Sequence, residues 1–210
     1  MKPLKNIAFT PGEDNIPVEC HPWQPFIPDN ARVLLMGTFP PAPERWTMPF
    51  YYPNRNNDFW RVIGLLFYDR PLHFYNEAEK TFNLEEIVRF LTERGIALSD
   101  TGRKVKRLRG NASDAFLQIV EAADLAALLP LMPHCGDVAA TGTLAAEVIA
   151  SLTDTRVPPL GNCVTASRLS AAGGRDVRLW RMPSTSRAYP LPLAAKAESY
   201  ARLFSSAGIL

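Results

Sequence analysis

The chain has 210 residues, 47% of them hydrophobic, and a formal charge of +2; that is enough for one well-buried core, and the composition is that of an ordinary globular protein. No apolar run approaches the roughly 20 residues of a membrane span, and the opening MKPLKNIAFTPGEDNIPVEC lacks an apolar signal core, so the expectation is a cytoplasmic protein. Three scattered cysteines, Cys20, Cys135 and Cys163, suit reduced thiols rather than a disulfide framework or a four-cysteine cluster, and so small a net charge means that any basic footprint must be local.

In chain order, residues 1–30, with HPWQPFIP, are rich in proline and aromatic residues and read as an extended arm packed on the body. RVLLMG at 32–37 reads as a buried strand and is stopped by GTFPP. DFWRVIGLLF at 58–67 and NLEEIVRFLTERG at 83–95 have the apolar spacings of helices, the second capped by Asn83 and ended by Gly95. GIALSD at 95–100 is a second strand, and it runs into RKVKRLRGN, where Arg103, Lys104, Lys106, Arg107 and Arg109 put five cations in seven residues. ADLAALLPLM and TLAAEVIASL are helices on either side of a third strand, DVAATG at 137–142. Residues 153–176 read as an irregular excursion with room for one weak strand. VRLWRM at 177–182 is the fourth strand, followed by MPSTSRAYP and a last helix, PLAAKAESYARLF. Strands alternating with helices predict an α/β fold: a three-layer α/β/α sandwich around a mainly parallel sheet of about four strands, in a single domain. Ligands of such sheets bind at the carboxyl ends of the strands, which puts residues 37–41, 99–103, 141–143 and 182–187 on one rim.

Pro-Ser-Thr-Ser-Arg after the fourth strand is short polar punctuation of the kind whose backbone N–H groups hold a phosphate. GTFPP after the first strand, FYYPNRNNDFW at 50–60 and RMPSTSRA before the last helix occur here together and in this order, over residues 20–206. The set resembles the uracil-DNA glycosylase superfamily: the fourth-strand segment looks like the mismatch- and thymine-specific branch, and the Tyr-Tyr to Phe-Trp stretch like the hypoxanthine branch. The resemblance implies hydrolysis of the N-glycosidic bond of a deaminated or mismatched base, such as uracil or hypoxanthine, flipped out of DNA. It implies no cofactor and no metal, with DNA as partner to a protein working as a monomer away from membranes. On these residues it makes Gly37, Thr38, Phe39, Pro40 and Pro41 the water-side loop, Tyr52 the stacking platform supported by Tyr51, and Asn57 a pocket amide. Pro183, Ser184, Thr185, Ser186 and Arg187 become the loop that presses the DNA.

The departures from that pattern matter as much. Phe39 stands where many members carry Asp or Asn and cannot orient water, and Ser184 and Thr185 stand where uracil-specific members carry His. A nucleic-acid-binding module that kept the pocket and lost the chemistry is therefore the alternative reading. The polar candidates that remain for catalysis are Thr38, Asn57 and Asp100, with Asp58, which reads as a helix cap or as a base. Asn57 and Asp100 likewise carry a capping reading beside the functional one. Asn111 and Asp124 lie where the hypoxanthine branch draws an asparagine. Arg103, Lys104, Lys106 and Arg107 read either as a solvated face or as phosphate contacts, with Arg45, Arg55 and Arg187 extending the same footprint. The three histidines, His21, His73 and His134, show no metal-ligand spacing, and none falls on the rim segments.

Overall fold

A computed structural model of the chain describes residues 16–109, 114–166 and 176–210. Its strands are β1 (Glu19–Cys20), β2 (Val33–Gly37), β3 (Tyr75–Asn76), β4 (Thr81–Phe82), β5 (Ile96–Asp100), β6 (Gly102–Arg107), β7 (Leu117–Ala122), β8 (Asp137–Ala140), β9 (Cys163–Thr165) and β10 (Arg178–Arg181). Its helices are α1 (Phe59–Tyr68), α2 (Leu84–Arg94), α3 (Leu125–Leu128), α4 (Thr143–Thr153) and α5 (Leu193–Ser206).

The main sheet has the order β5-β2-β8-β10-β9. Its first four strands run parallel, and β9 pairs with β10 antiparallel at the edge. The α/β reading therefore holds with a mixed sheet of five strands rather than about four. The added strand is three residues long, and the prolines and glycine before it hide any alternation in the sequence. Every residue of β2 and β5 is buried, as expected of parallel strands covered on both faces.

Alternation along β2 divides the core. Val33 and Leu35 join a cluster with Phe59, Trp60 and Ile63 of α1, Ile87, Phe90 and Leu91 of α2, and Tyr200, Leu203 and Phe204 of α5. Leu34 and Met36 face the other way, into a cluster with Leu125 of α3 and Ala145, Ala146 and Ile149 of α4. Helix α2 has the ends its sequence calls for: the Asn83 side chain accepts from Glu86 N–H, and Gly95 takes the left-handed conformation at φ 67°.

The chain leaves β2 toward one face, through α1 and α2, and leaves β8 toward the other, through α4. Diverging connections from adjacent strands open a crevice at their carboxyl ends. A second, antiparallel sheet, β1-β6-β7, stands beside this rim, and Phe26 pairs with Leu98. The described part of the N-terminal arm is thus laid along the body by backbone hydrogen bonds. Residues 103–107 of the basic run, which no periodicity placed, lie on strand β6.

Candidate active site

Strand register brings the rim together: Gly37 lies opposite Asp100, and the Thr141 N–H donates to the Met36 carbonyl at 2.9 Å. From there the 37–41 loop is tied down by its carbonyls. Gly37 and Thr38 accept from the N–H groups of Thr101 and Gly102 at 2.9 Å each, Pro40 accepts from Arg107 at 2.7 Å, and Pro41 accepts from the Trp46 indole at 2.7 Å. Two prolines carry no N–H, so the loop's amide donors are Gly37, Thr38 and Phe39. Gly37 is required by close approach, because a Cβ there would come within 2.5 Å of Asp100 Oδ1.

Above this floor is a cleft of about 590 Å³. Gly37, Thr38, Phe39, Pro40, Tyr52, Asn57, Asp100, Ser184, Thr185, Ser186 and Arg187, all singled out from the sequence, line it. Pro183 is buried behind the loop, its carbonyl accepting from the Tyr200 hydroxyl at 3.3 Å.

Asp100 is 5% exposed, and the imidazole of His21 sits against it, Nε2 to Oδ2 at 2.9 Å. The other ring nitrogen of His21 lies 2.8 Å from the Trp23 carbonyl and 3.1 Å from the Trp23 nitrogen. Burial pushes the Asp100 carboxyl above the ordinary aspartate value; the hydrogen bond and charge of His21, then Arg103 and the Gly37 N–H, oppose that rise. The sequence placed no histidine at the rim. His21 corrects this: it arrives from the arm, carried by the pairing of Cys20 with Lys104 on β6. Phe39 meets its ring edge-on at 5.3 Å and Tyr51 stacks at 5.8 Å, so these two aromatics help hold the imidazole in place.

A second carboxylate, Asp114, is also new at the site. The residue is largely exposed, but its carboxyl is turned into the cleft, where Oδ2 accepts from the Thr38 hydroxyl at 3.3 Å. Desolvation raises its pKa, the Thr38 bond lowers it, and the charge of Asp100 raises it further. Nothing in the sequence marks Asp114, because it follows the basic run without periodicity. Asn111 lies outside the described residues, and Asp124 caps α3 by accepting from Ala127 N–H at 3.0 Å.

Tyr52 stacks on Phe59 at 3.7 Å, and its hydroxyl is 2.8 Å from that of Thr141. One ring face is thus backed by the core, and the residue is held at φ 53°, a left-handed conformation rare for an aromatic. Tyr51 is buried instead, donating to the Gln24 carbonyl at 3.0 Å. Asn57, just before the first helical turn, accepts from Phe59 N–H through Oδ1 at 2.8 Å, so its Nδ2 amide is the donor it brings to the cleft. Asp58 makes no capping bond through its side chain. Its carboxylate instead accepts from the buried Lys196 ammonium at 2.9 Å and from Arg187 at 3.3 Å, fastening the 184–188 loop to the body.

The basic run splits along its strand. Arg103 donates to the Trp23 carbonyl at 3.0 Å, and the buried Arg107 pairs with Glu19 at 2.9 Å, so these two brace the arm and the first loop. Lys104 faces out and pairs with Glu121 of β7 at 2.6 Å. The lining of the cleft includes none of Arg103, Lys104, Lys106 or Arg107; its cations are Arg45 and Arg187. The run is therefore a strand with bracing arginines, not a block of cations over the cleft. Among the described residues, no group of three or more His, Cys, Asp or Glu is placed to hold a metal ion, and no helix is long and apolar enough to cross a membrane.

The sequence matches no protein-family model and none of the curated proteins. Its fold is similar to the solution NMR structure of a candidate uracil DNA glycosylase from Methanosarcina acetivorans. The TM-score is 0.60 with 20% sequence identity, over 91% of this chain and 99% of that one. At that identity the likeness establishes the fold. The chemistry has to be argued from the cleft itself.

Proposed function

We propose that the protein is a DNA glycosylase that hydrolyses the N-glycosidic bond of a deaminated base, uracil or hypoxanthine, with Asp100 as the residue nearest the chemistry. The observation that carries this reading is a carboxylate buried at the floor of an open cleft, oriented by a histidine and ringed by hydroxyl and amide donors. The family-like motifs and the fold likeness support it.

The departing bond leaves negative charge on the base and positive character on the sugar. Tyr52 offers the ring face opposite Phe59 to the base, while the Thr141 hydroxyl and the Asn57 Nδ2 donate to its edge. Preorganised donors of this type supply about 10² to 10³ in rate each. Asp100 in its carboxylate form, which the His21 ring favours against the opposing effect of burial, stabilises the sugar cation and orients the attacking water. Phe39 thereby loses the water-handling role of its counterparts and becomes packing for His21. Asp114, whose pKa desolvation raises against the opposing bond from Thr38, stands ready to carry a proton beside that hydroxyl. The backbone of the 184–188 loop, locked by Asp58 and Lys196, presses on the DNA. The protein acts on DNA as a single domain and a monomer.

The test is to incubate the protein with oligonucleotides carrying uracil, hypoxanthine, xanthine or a G·T mismatch, single- and double-stranded, and to cleave abasic sites with alkali. Strand scission at uracil or hypoxanthine is expected. Intact strands in every case, with lesion DNA still bound, would reassign the protein as a binding module.

A further inference from the structure

A second pocket of about 230 Å³ adjoins the cleft, and Asn56 and Arg187 line both. Its floor is aromatic, formed by the buried Trp60, Phe74 and Phe82 with the half-buried Tyr75. Its rim carries three guanidinium groups, from Arg55, Arg61 and Arg187. Asp58 is the carboxylate that meets this group, and it already neutralises the Lys196 ammonium. Arg61 is half-buried beside Arg187; burial and that neighbouring charge lower its pKa, and Asp58 and Tyr75 oppose the fall, so one carboxylate is shared among Lys196, Arg187 and Arg61. Crowded arginines over an apolar floor call for an anion attached to a flat, poorly hydrated group. That pairing is a nucleotide. The volume admits a base, with the phosphate at the mouth.

Resting on the glycosylase reading, we propose that this pocket is the subsite for the nucleotide next to the one whose base is excised on the same DNA strand, its phosphate on Arg55, Arg61 and Arg187 and its base on the aromatic floor. Continuity through Asn56 and Arg187 favours a neighbouring nucleotide over a free one, because a strand leaving the cleft passes directly over the shared residues. The subsite makes substrate length matter. A lesion at the very end of a strand leaves the pocket empty, and one further nucleotide fills it.

The experiment measures affinity and single-turnover rate for single-stranded oligonucleotides in which the lesion has zero, one or two nucleotides on each side. Wild type is compared with Arg55→Gln, Arg61→Gln and the double variant, and adenosine monophosphate is titrated in parallel. Arg55 is exposed, so its variant tests the site even if Arg61→Gln perturbs folding. Wild type is expected to gain about tenfold in affinity when the neighbouring nucleotide is added. The double variant should lose that step, and its salt slope should fall by about 0.7, the value for one single-strand phosphate contact. If lesion DNA is bound and cut but the step persists in the variants, or wild type shows no step, the subsite is overturned and the glycosylase reading stands. Arginine-dependent binding of adenosine monophosphate with no affinity for any oligonucleotide would overturn both and leave a free-nucleotide site.

Discussion

His21 and Asp100 share one hydrogen bond, and the rest of the site depends on whether Asp100 is ionised. A carboxylate that is buried 5% exposed with an imidazole 2.9 Å away is ionised at lower pH than burial alone would allow, yet its pKa is still raised overall. A raised carboxyl pKa means that the folded state holds its proton longer than the unfolded chain does. This stabilising contribution is complete below the ordinary aspartate value and is lost as pH rises through the folded value. Relative to Asp100→Asn, wild type should therefore lose stability with rising pH across that window, as thermal melts from about pH 3 to about pH 7 would measure. On the glycosylase reading activity runs the other way, with the ionised form as the working one: the rate should rise with pH over the same window, and Asp100→Asn should lower it by about 10² to 10⁴ and erase that limb. His21→Gln keeps a donor to Asp100 but not the imidazole; it should reduce kcat more than it raises KM, shifting the acid limb to higher pH. An unshifted limb would show that His21 is packing only.

At the scale of the elements, the loop after β10 owes its position to a residue that precedes α1. Asp58 accepts from Lys196, which is 1% exposed, so removing the carboxylate leaves a buried ammonium that, among the described residues, keeps the Ser186 carbonyl at 3.0 Å. Asp58→Asn should cost about 3 to 5 kcal/mol in denaturant unfolding, and pairing it with Lys196→Met should recover much of that loss. An equal loss in the double variant would mean that the loop is held by its backbone contacts alone. The four parallel strands and the long helices were legible because their signals are local, unbroken apolar runs for β2 and β5 and Asn83 and Gly95 bounding α2, whereas the short strands β1, β3 and β4 and the half-exposed strand β7 carry no such run. Strand β6 was not legible either, because Arg103 and Arg107 on its inward side look like solvent-facing cations until Glu19 and the carbonyls of Trp23 and Pro40 are seen to meet them. The same pairing hid His21, whose place depends on a non-local contact between the arm and β6 that no spacing encodes. The rim itself could be read, since a parallel sheet gathers its carboxyl ends, whereas Asp114 could not, since it reaches the cleft from a stretch without periodicity.

For the whole molecule, a charge of +2 leaves DNA binding to local placement. The cations at the mouth of the cleft are Arg45 and Arg187, while Lys104 lies on the neighbouring sheet, paired with Glu121. Arg45→Ala should therefore flatten the dependence of log affinity on log salt by about one counterion, and Lys104→Ala should change it less. The reverse order would move the DNA track from the cleft to β6. On the proposed reading Asp100, and not the 37–41 loop, handles the chemistry of base excision. Single-turnover cleavage of a uracil- or hypoxanthine-containing oligonucleotide by wild type, Asp100→Asn and Phe39→Asn tests this most directly. The expected result is slow but measurable excision by wild type, none above background for Asp100→Asn, and no gain for Phe39→Asn, which unseats His21. Excision that survives Asp100→Asn and rises in Phe39→Asn would contradict the claim and return the catalytic water to the first loop.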